Sequence, residues 1–239
     1  MAMSENNTFQ TFGIGSLPFN TVKEAIDYAL SHDVAFLPQL PHLEGNMIKA
    51  CIEKTCLSLN ELNARLIKGP LKIQIPGPLS SNLDTKVILD YYHYLKSNLV
   101  HKDLIVFIDE PFFPKITKAH KEIIEIIRED HPIGLHSCGT FNLDDTISLG
   151  FDYLSYDIYL NHQFTLEDVL QYEIEPVLGI VPTMNDCDLG MLEQQIFPII
   201  LKRTKAIYLS ATCGLADRNI DTSLVLKNLN KIKEKLSSN

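Results

Sequence analysis

Eight short apolar runs, each followed by a stretch whose apolar residues recur at helical spacing, leave this chain few folds to choose from. The pattern predicts strands over Thr11–Ser16, Val34–Pro38, Leu71–Ile75, Leu104–Ile108, Ile133–His136, Tyr153–Tyr156, Pro176–Val181 and Ala206–Ser210. Helices are predicted between them: near Thr21–His32, Asn46–Leu66, Asp84–Ser97, Lys115–Arg128, Leu143–Leu149 with Gly150 as the stop, Leu166–Tyr172 and Gly190–Thr204. A last helix is predicted over Thr222–Ser237. Strictly alternating strands and helices imply a parallel sheet, and eight such units in 239 residues predict an α/β (β/α)8 TIM barrel, one domain spanning residues 1–239. The alternative is an open doubly wound sheet. It would be marked by Gly-x-Gly-x-x-Gly opening a helix, whereas the first strand runs into Gly13-Ile14-Gly15-Ser16-Leu17-Pro18.

Charge and cysteine usage narrow the function classes. A net charge of -9 argues against nucleic acid or an anionic membrane as the main partner, because both call for basic patches. No apolar run approaches the roughly 20 residues of a membrane span, and Met1–Asn7 lacks a basic region and an apolar signal core, so a cytoplasmic protein is expected. Five cysteines with no Cys-x-x-Cys suit reduced thiols and metal ligation better than a disulfide framework or a zinc finger.

The stretch Pro132-Ile133-Gly134-Leu135-His136-Ser137-Cys138-Gly139 carries the strongest chemical signal. Side chains alternate along an extended segment, so His136 and Cys138 leave the fifth strand on the same side. Ser210-Ala211-Thr212-Cys213-Gly214 repeats the grammar at the end of the eighth strand: an apolar run, a cysteine, a glycine. A lone cysteine is ordinarily a small hydrophobe. An imidazole and two thiolates converging at strand ends instead make a site suited to Zn2+, with three protein ligands and a fourth position open.

In a barrel the active site lies at the C-terminal ends of the strands. The polar residues there are Ser16; Gln39, His42 and Glu44; Asn82; Asp109 and Glu110; His136 and Cys138; Asp157; Thr183, Asn185 and Asp186; and Cys213. Asp157 is a candidate fourth ligand, a partner for His136, or a capping carboxylate. Of the adjacent acids Asp109 and Glu110, one is expected to bind a substrate ammonium. Cys187 is a ligand or a free thiol. Cys51 and Cys56 fall within the second helix and read as core or surface thiols.

Gly15-Ser16-Leu17-Pro18, Pro38-Gln39-Leu40-Pro41, Gly77-Pro78, Ile108-Asp109-Glu110-Pro111, His136-Ser137-Cys138-Gly139 and Ser210-Ala211-Thr212-Cys213-Gly214-Leu215 resemble, in order, the motifs of the cobalamin-independent methionine synthase catalytic domain. That domain is grouped with uroporphyrinogen decarboxylase and the corrinoid-linked thiol methyltransferases. The resemblance spans nearly the whole chain. It implies zinc on His136, Cys138 and Cys213, with Asp157 near the position of a further glutamate ligand. It also implies that Ser16, Glu44 and Asp109 hold the backbone of homocysteine. The chain departs from the long synthases in having one barrel and no tryptophan, and Gly77-Pro78 is followed by Leu79-Ser80-Ser81-Asn82 where they carry Trp-Ser near the folate site. A methylated corrinoid, carried on a partner protein, is therefore the expected methyl donor in place of folate.

The chemistry is intelligible from the residues. A thiol with a pKa of about 8.5 is mostly protonated at neutral pH, and zinc both deprotonates it and fixes its sulfur. The rival readings are methylation of another thiol such as coenzyme M, a metal-free decarboxylase, a zinc hydrolase, and a barrel that binds zinc or a thiol without turnover. Two thiolate ligands weaken the metal's Lewis acidity, which disfavours the hydrolase.

Overall fold

The computed structural model describes residues 9–113, 115–161, 166–183, 187–203, 206–217 and 219–238. Its eight strands are β1 (Phe9–Thr11), β2 (Ala35–Phe36), β3 (Leu71–Pro76), β4 (Leu104–Asp109), β5 (Ile133–Ser137), β6 (Tyr153–Asp157), β7 (Glu175–Val181) and β8 (Ile207–Ala211). Each pairs in parallel with its neighbours in the order β1-β8-β7-β6-β5-β4-β3-β2. Single parallel bridges, Phe12 to Val34 and Ser16 to Gln39, join β1 to β2 and complete the circuit of a (β/α)8 barrel. The predicted architecture is the observed one.

Every strand is buried on both faces, so alternation divides its apolar residues between two cores. Outward residues such as Leu71, Ile73, Ile75, Val106 and Ile108 join the large core beneath the surrounding helices. Inward residues Phe12, Val34, Ile105, Phe107 and Val177 fill the barrel, with Tyr153 and Tyr208 packed against them. Phe12 and Phe107 meet tilted at 5.3 Å, Tyr153 and Tyr208 edge-on at 5.7 Å, and Phe12 stacks on Tyr153 at 6.5 Å. This aromatic plug closes the interior below the strand ends.

The helices follow the predicted positions, with one correction. The single helix expected near Asn46–Leu66 is broken into Met47–Glu53 and Leu59–Asn63, and with the unpredicted Pro41–Glu44 ahead of them three short helical pieces follow β2. Lys54 ends the middle piece in the left-handed conformation, at φ 53°, which breaks the helical ladder before Cys56. Cys51 is buried in that piece, whereas Cys56 lies outside it. The segment before β8 holds one turn of π-helix, Leu192–Ile196, just ahead of Pro198, whose missing N–H disturbs the regular ladder. Among the described residues no helix is long and apolar enough to cross a membrane.

Candidate functional site

Alternation places Asp109, His136 and Asp157 at the upper ends of β4, β5 and β6, and register ties them together: Asp109 pairs with His136, and His136 with Ser155. His136 is buried, and its Nδ1 lies 2.9 Å from Ser155 Oγ. That contact leaves Nε2 as the nitrogen for a ligand. Burial, reinforced by the positive charge of Lys72, depresses the imidazole to about 3, so the ring is neutral at physiological pH. A neutral imidazole is the form that binds metals.

Cys138, just beyond β5, and Cys213, just beyond β8, are near enough across the mouth for each to shift the acidity of the other. Cys138 brings Cys213 down to about 7 against the opposing effect of burial, while Cys213 and burial push Cys138 up. Cys213 is the more acidic thiol of the two. Both cysteines are half-buried and free of disulfides.

The glycine after each cysteine has a steric reason. A Cβ on Gly139 would stand 2.4 Å from the Pro111 carbonyl oxygen, the atom that accepts the Gly139 N–H at 2.8 Å. A Cβ on Gly214 would stand 2.0 Å from Ser16 Oγ. The loops after β4 and β1 therefore close directly onto the two Cys-Gly pairs, and Leu215 N–H donates to the Ser16 carbonyl at 2.8 Å. Ser16 is thus brought to the cysteine side of the mouth.

The two adjacent acids part company. Asp109 is the inward one, and its Oδ1 is buried without a hydrogen-bond partner among the described residues. Burial pushes its carboxyl up to about 7, with Lys72 pulling it down and Glu110 pushing it further up. Glu110 faces away, fully buried, and accepts from Leu79 N–H and Ser80 N–H, each at 2.8 Å, and from the Ser80 hydroxyl. His120 Nε2 completes its shell at 2.9 Å; because His120 Nδ1 accepts from Thr117 N–H, the Nε2 proton is the one donated. A Cβ on Gly77 would strike Glu110, so the Gly-Pro turn and this acid form one structural unit. Glu110 anchors a loop.

Other predicted residues occupy defined places. Glu44 accepts from Leu40 N–H at 2.9 Å and Leu57 N–H at 2.8 Å, which commits one oxygen to the loop after β2 and the other to the turn between Met47–Glu53 and Leu59–Asn63. Asp157 Oδ1 accepts from Tyr159 N–H at 2.7 Å and Leu160 N–H at 3.3 Å, the geometry of a turn cap, and its charge is felt at Cys213. His42 Nε2 lies 2.7 Å from the Ala216 carbonyl oxygen, linking the loops after β2 and β8. Gln39 is buried, its Oε1 accepting from Gln74 Nε2 at 3.2 Å, and Asn82 takes the left-handed position that ends the short helix Pro78–Ser81. Thr183 is half-buried beyond β7, and Cys187 Sγ lies 3.8 Å from the Ile180 carbonyl oxygen. Asn185 and Asp186 lie outside the described residues.

Two residues that sequence reasoning passed over belong to this interior. Lys72, 1% exposed, donates to the Gly13 carbonyl oxygen at 2.8 Å and lies 5.4 and 5.0 Å from the ring centres of Phe12 and Phe107. Gln74 Oε1 accepts from Gly15 N–H at 3.1 Å. The signal was present: in Leu71-Lys72-Ile73-Gln74-Ile75 the two polar residues are spaced by two and so share the inward face.

Fold and site together define a (β/α)8 barrel whose mouth carries a thiol pair, a neutral buried histidine and an unpartnered carboxylate. Compared with models of known protein families and with curated proteins, the chain matches none. Among the described residues, no three His, Cys, Asp or Glu side chains stand close enough together to hold a metal ion as they are placed. The donor types nonetheless suit zinc: two thiols that influence each other's acidity and an imidazole neutral by burial, all from strand ends at one mouth.

Proposed function

We propose that this barrel is a zinc-dependent thiol S-methyltransferase, with homocysteine as the acceptor, methionine as the product and a methylated corrinoid on a partner protein as the donor. The observation that carries the reading is the placement of Cys138 and Cys213 just past the ends of two non-adjacent strands at one mouth, with neutral His136 at the end of the same β5. Cys138, Cys213 and His136 would hold the zinc, with Asp157 as a candidate fourth ligand. Bound there, the metal would supply a site that lowers a thiol's pKa and holds its sulfur. Two thiolate ligands and a neutral imidazole cancel the charge of the ion, so an added substrate thiolate stays electron-rich. Asp109 would receive the acceptor's ammonium group and Ser16 would stand beside its backbone. Glu44, with both oxygens on backbone amides, would contribute by holding the loop after β2 in place.

The test is direct. The protein purified with zinc is expected to hold about one ion per chain, and the Cys138→Ala, Cys213→Ala double variant to lose most of it by elemental analysis. Supplied with homocysteine, it is expected to form methionine from methylcobalamin and far less from methyl-tetrahydrofolate. Full zinc in the double variant, or no methionine from either donor, would overturn the reading.

A further inference from the structure

The Gly15 N–H can only donate, so it decides which way round the Gln74 amide lies. Its partner at 3.1 Å is Gln74 Oε1, which turns Gln74 Nε2 toward Gln39 at 3.2 Å. A donating nitrogen needs an acceptor, so the Gln39 atom that it meets is Oε1. One backbone amide thus orients two side chains in turn, and the relay ends at the Gln39 amino group. Among the described residues none accepts from Gln39 Nε2, and this nitrogen, unlike Asp109 Oδ1, is not closed off from solvent. Rings fill the barrel below, so that access is from the mouth.

The relay is firmly held. Gln74 and Gln39 are both buried, and a Cβ on Gly15 would stand 2.0 Å from Gln74 Nε2, so only glycine leaves room for the amide. The main chain of Gln39 is fixed as well: its N–H donates to the Gly15 carbonyl at 2.8 Å, and its carbonyl accepts from Leu17 N–H at 2.9 Å. These two bonds set Gln39 beside Ser16, whose Oγ lies against Gly214, the neighbour of Cys213. A largely buried donor without an acceptor is unfavourable, and a ligand that brings the acceptor removes that cost.

We propose that Gln39 is a substrate-binding residue whose Nε2 donates to the carboxylate of the acceptor, and that Gln74 is the positioning residue that keeps this nitrogen, and not the oxygen, turned to the mouth. The choice of ligand rests on the thiol-methylation reading above. With the ammonium of the amino acid received by Asp109, its carboxylate needs a donor, and Gln39 supplies one beside Ser16.

Homocysteine and 3-aminopropane-1-thiol, the same chain without its carboxylate, separate this role from a structural one. In zinc-loaded protein supplied with methylcobalamin, Gln39→Glu is expected to raise KM for homocysteine about ten- to a hundredfold with little change in kcat. The same variant should leave KM for the aminothiol no higher than in the wild type. Glutamate keeps an oxygen for Gln74 Nε2 but offers the ligand a negative oxygen in place of a donor, so it would rescue a purely structural Gln39. Gln39→Leu, which removes the donor and adds no charge, is expected to fall between the wild type and Gln39→Glu on homocysteine. Calorimetric titration of the two thiols into the zinc-loaded proteins is expected to give the same order without turnover. If the wild type forms methionine, an unchanged homocysteine KM in Gln39→Glu, or equal effects on both thiols, would overturn the assignment and leave the function standing. No methionine from the wild type would overturn both.

Discussion

Ser16 Oγ occupies the space that a side chain at position 214 would need, 2.0 Å from the point where a Cβ on Gly214 would lie. The first and last strands of the barrel are therefore locked together at the residue next to Cys213. Gly214→Ala is expected to cost about 1–3 kcal/mol, the usual scale for forced overpacking. Ser16 Cβ stands 3.4 Å from the same point, an ordinary contact, so Ser16→Ala in the same chain is expected to recover most of the loss. Urea unfolding of the two single variants and the double variant would show the recovery; equal loss with and without Ser16 would place the strain elsewhere.

Asp109→Asn keeps the shape of the side chain and removes its charge. A hydrogen bond to a charged group is worth about 1.5–3 kcal/mol, so homocysteine use is expected to weaken about ten- to a hundredfold with zinc retained. The same substitution is expected to improve use of coenzyme M, whose sulfonate the carboxylate repels. Steady-state kinetics on the two thiols checks both directions.

Glu110 and His120 form a fully buried pair at 2.9 Å, and the same carboxylate terminates the Gly77-Pro78 turn. Breaking one side of such a pair is expected to cost about 3–5 kcal/mol, as an uncompensated polar group stays inside. Glu110→Ala should therefore unfold at clearly lower urea, while Ser80→Ala, which removes one of several donors to that carboxylate, should cost about 1 kcal/mol. Chemical denaturation distinguishes the two.

His32 gives the fold a definite acid sensitivity. Burial against Tyr28 and Phe36 lowers it to about 4, so the folded ring stays neutral where the unfolded chain is already protonated. Because the unfolded state binds the extra proton, its contribution to stability is complete above about pH 6.5 and is lost as the pH falls toward 4. The amount is on the order of 3 kcal/mol. His32→Leu is expected to flatten the melting temperature between those pH values without abolishing the slope, since the neutral buried His136 acts in the same sense.

Most strands were legible because each barrel strand is apolar on both faces and bounded by polar residues; the first lies at Phe9–Thr11, sharing only Thr11 with the Thr11–Ser16 stretch predicted for it. Long-range roles were less so. Asp109 and Glu110 look alike as neighbours, and only alternation counted from Leu104 sends the first inward and the second into the loop anchor. Glu44 and Asp157 sit at strand ends where ligands are expected, yet oxygens of each are taken by backbone amides two or more residues along the chain. Lys72 was hidden for the opposite reason: a charged residue in a strand reads as solvent-facing until the strand is known to lie inside a closed barrel. The break in the helix after Met47–Glu53 had no glycine or proline to announce it, because Lys54 itself adopts the left-handed turn.

The closure between β1 and β2 differs in kind from the rest of the barrel. Six-residue registers bind β3 to β4, but β1 and β2 share isolated bridges and the hydrogen bonds Val34 to Thr11, Gln39 to Gly15 and Leu17 to Gln39. Asp33 reinforces that line from outside by accepting from the Thr11 amide and from Lys233 of the last helix. With β2 itself joined to β3 by a register of only two residues, the wall is thinnest on this side and deforms here first, as a split ring opens at its gap. Local opening along Thr11–Gly15 would widen the mouth beside Ser16 while the ladder carrying His136 and Asp109 stays intact.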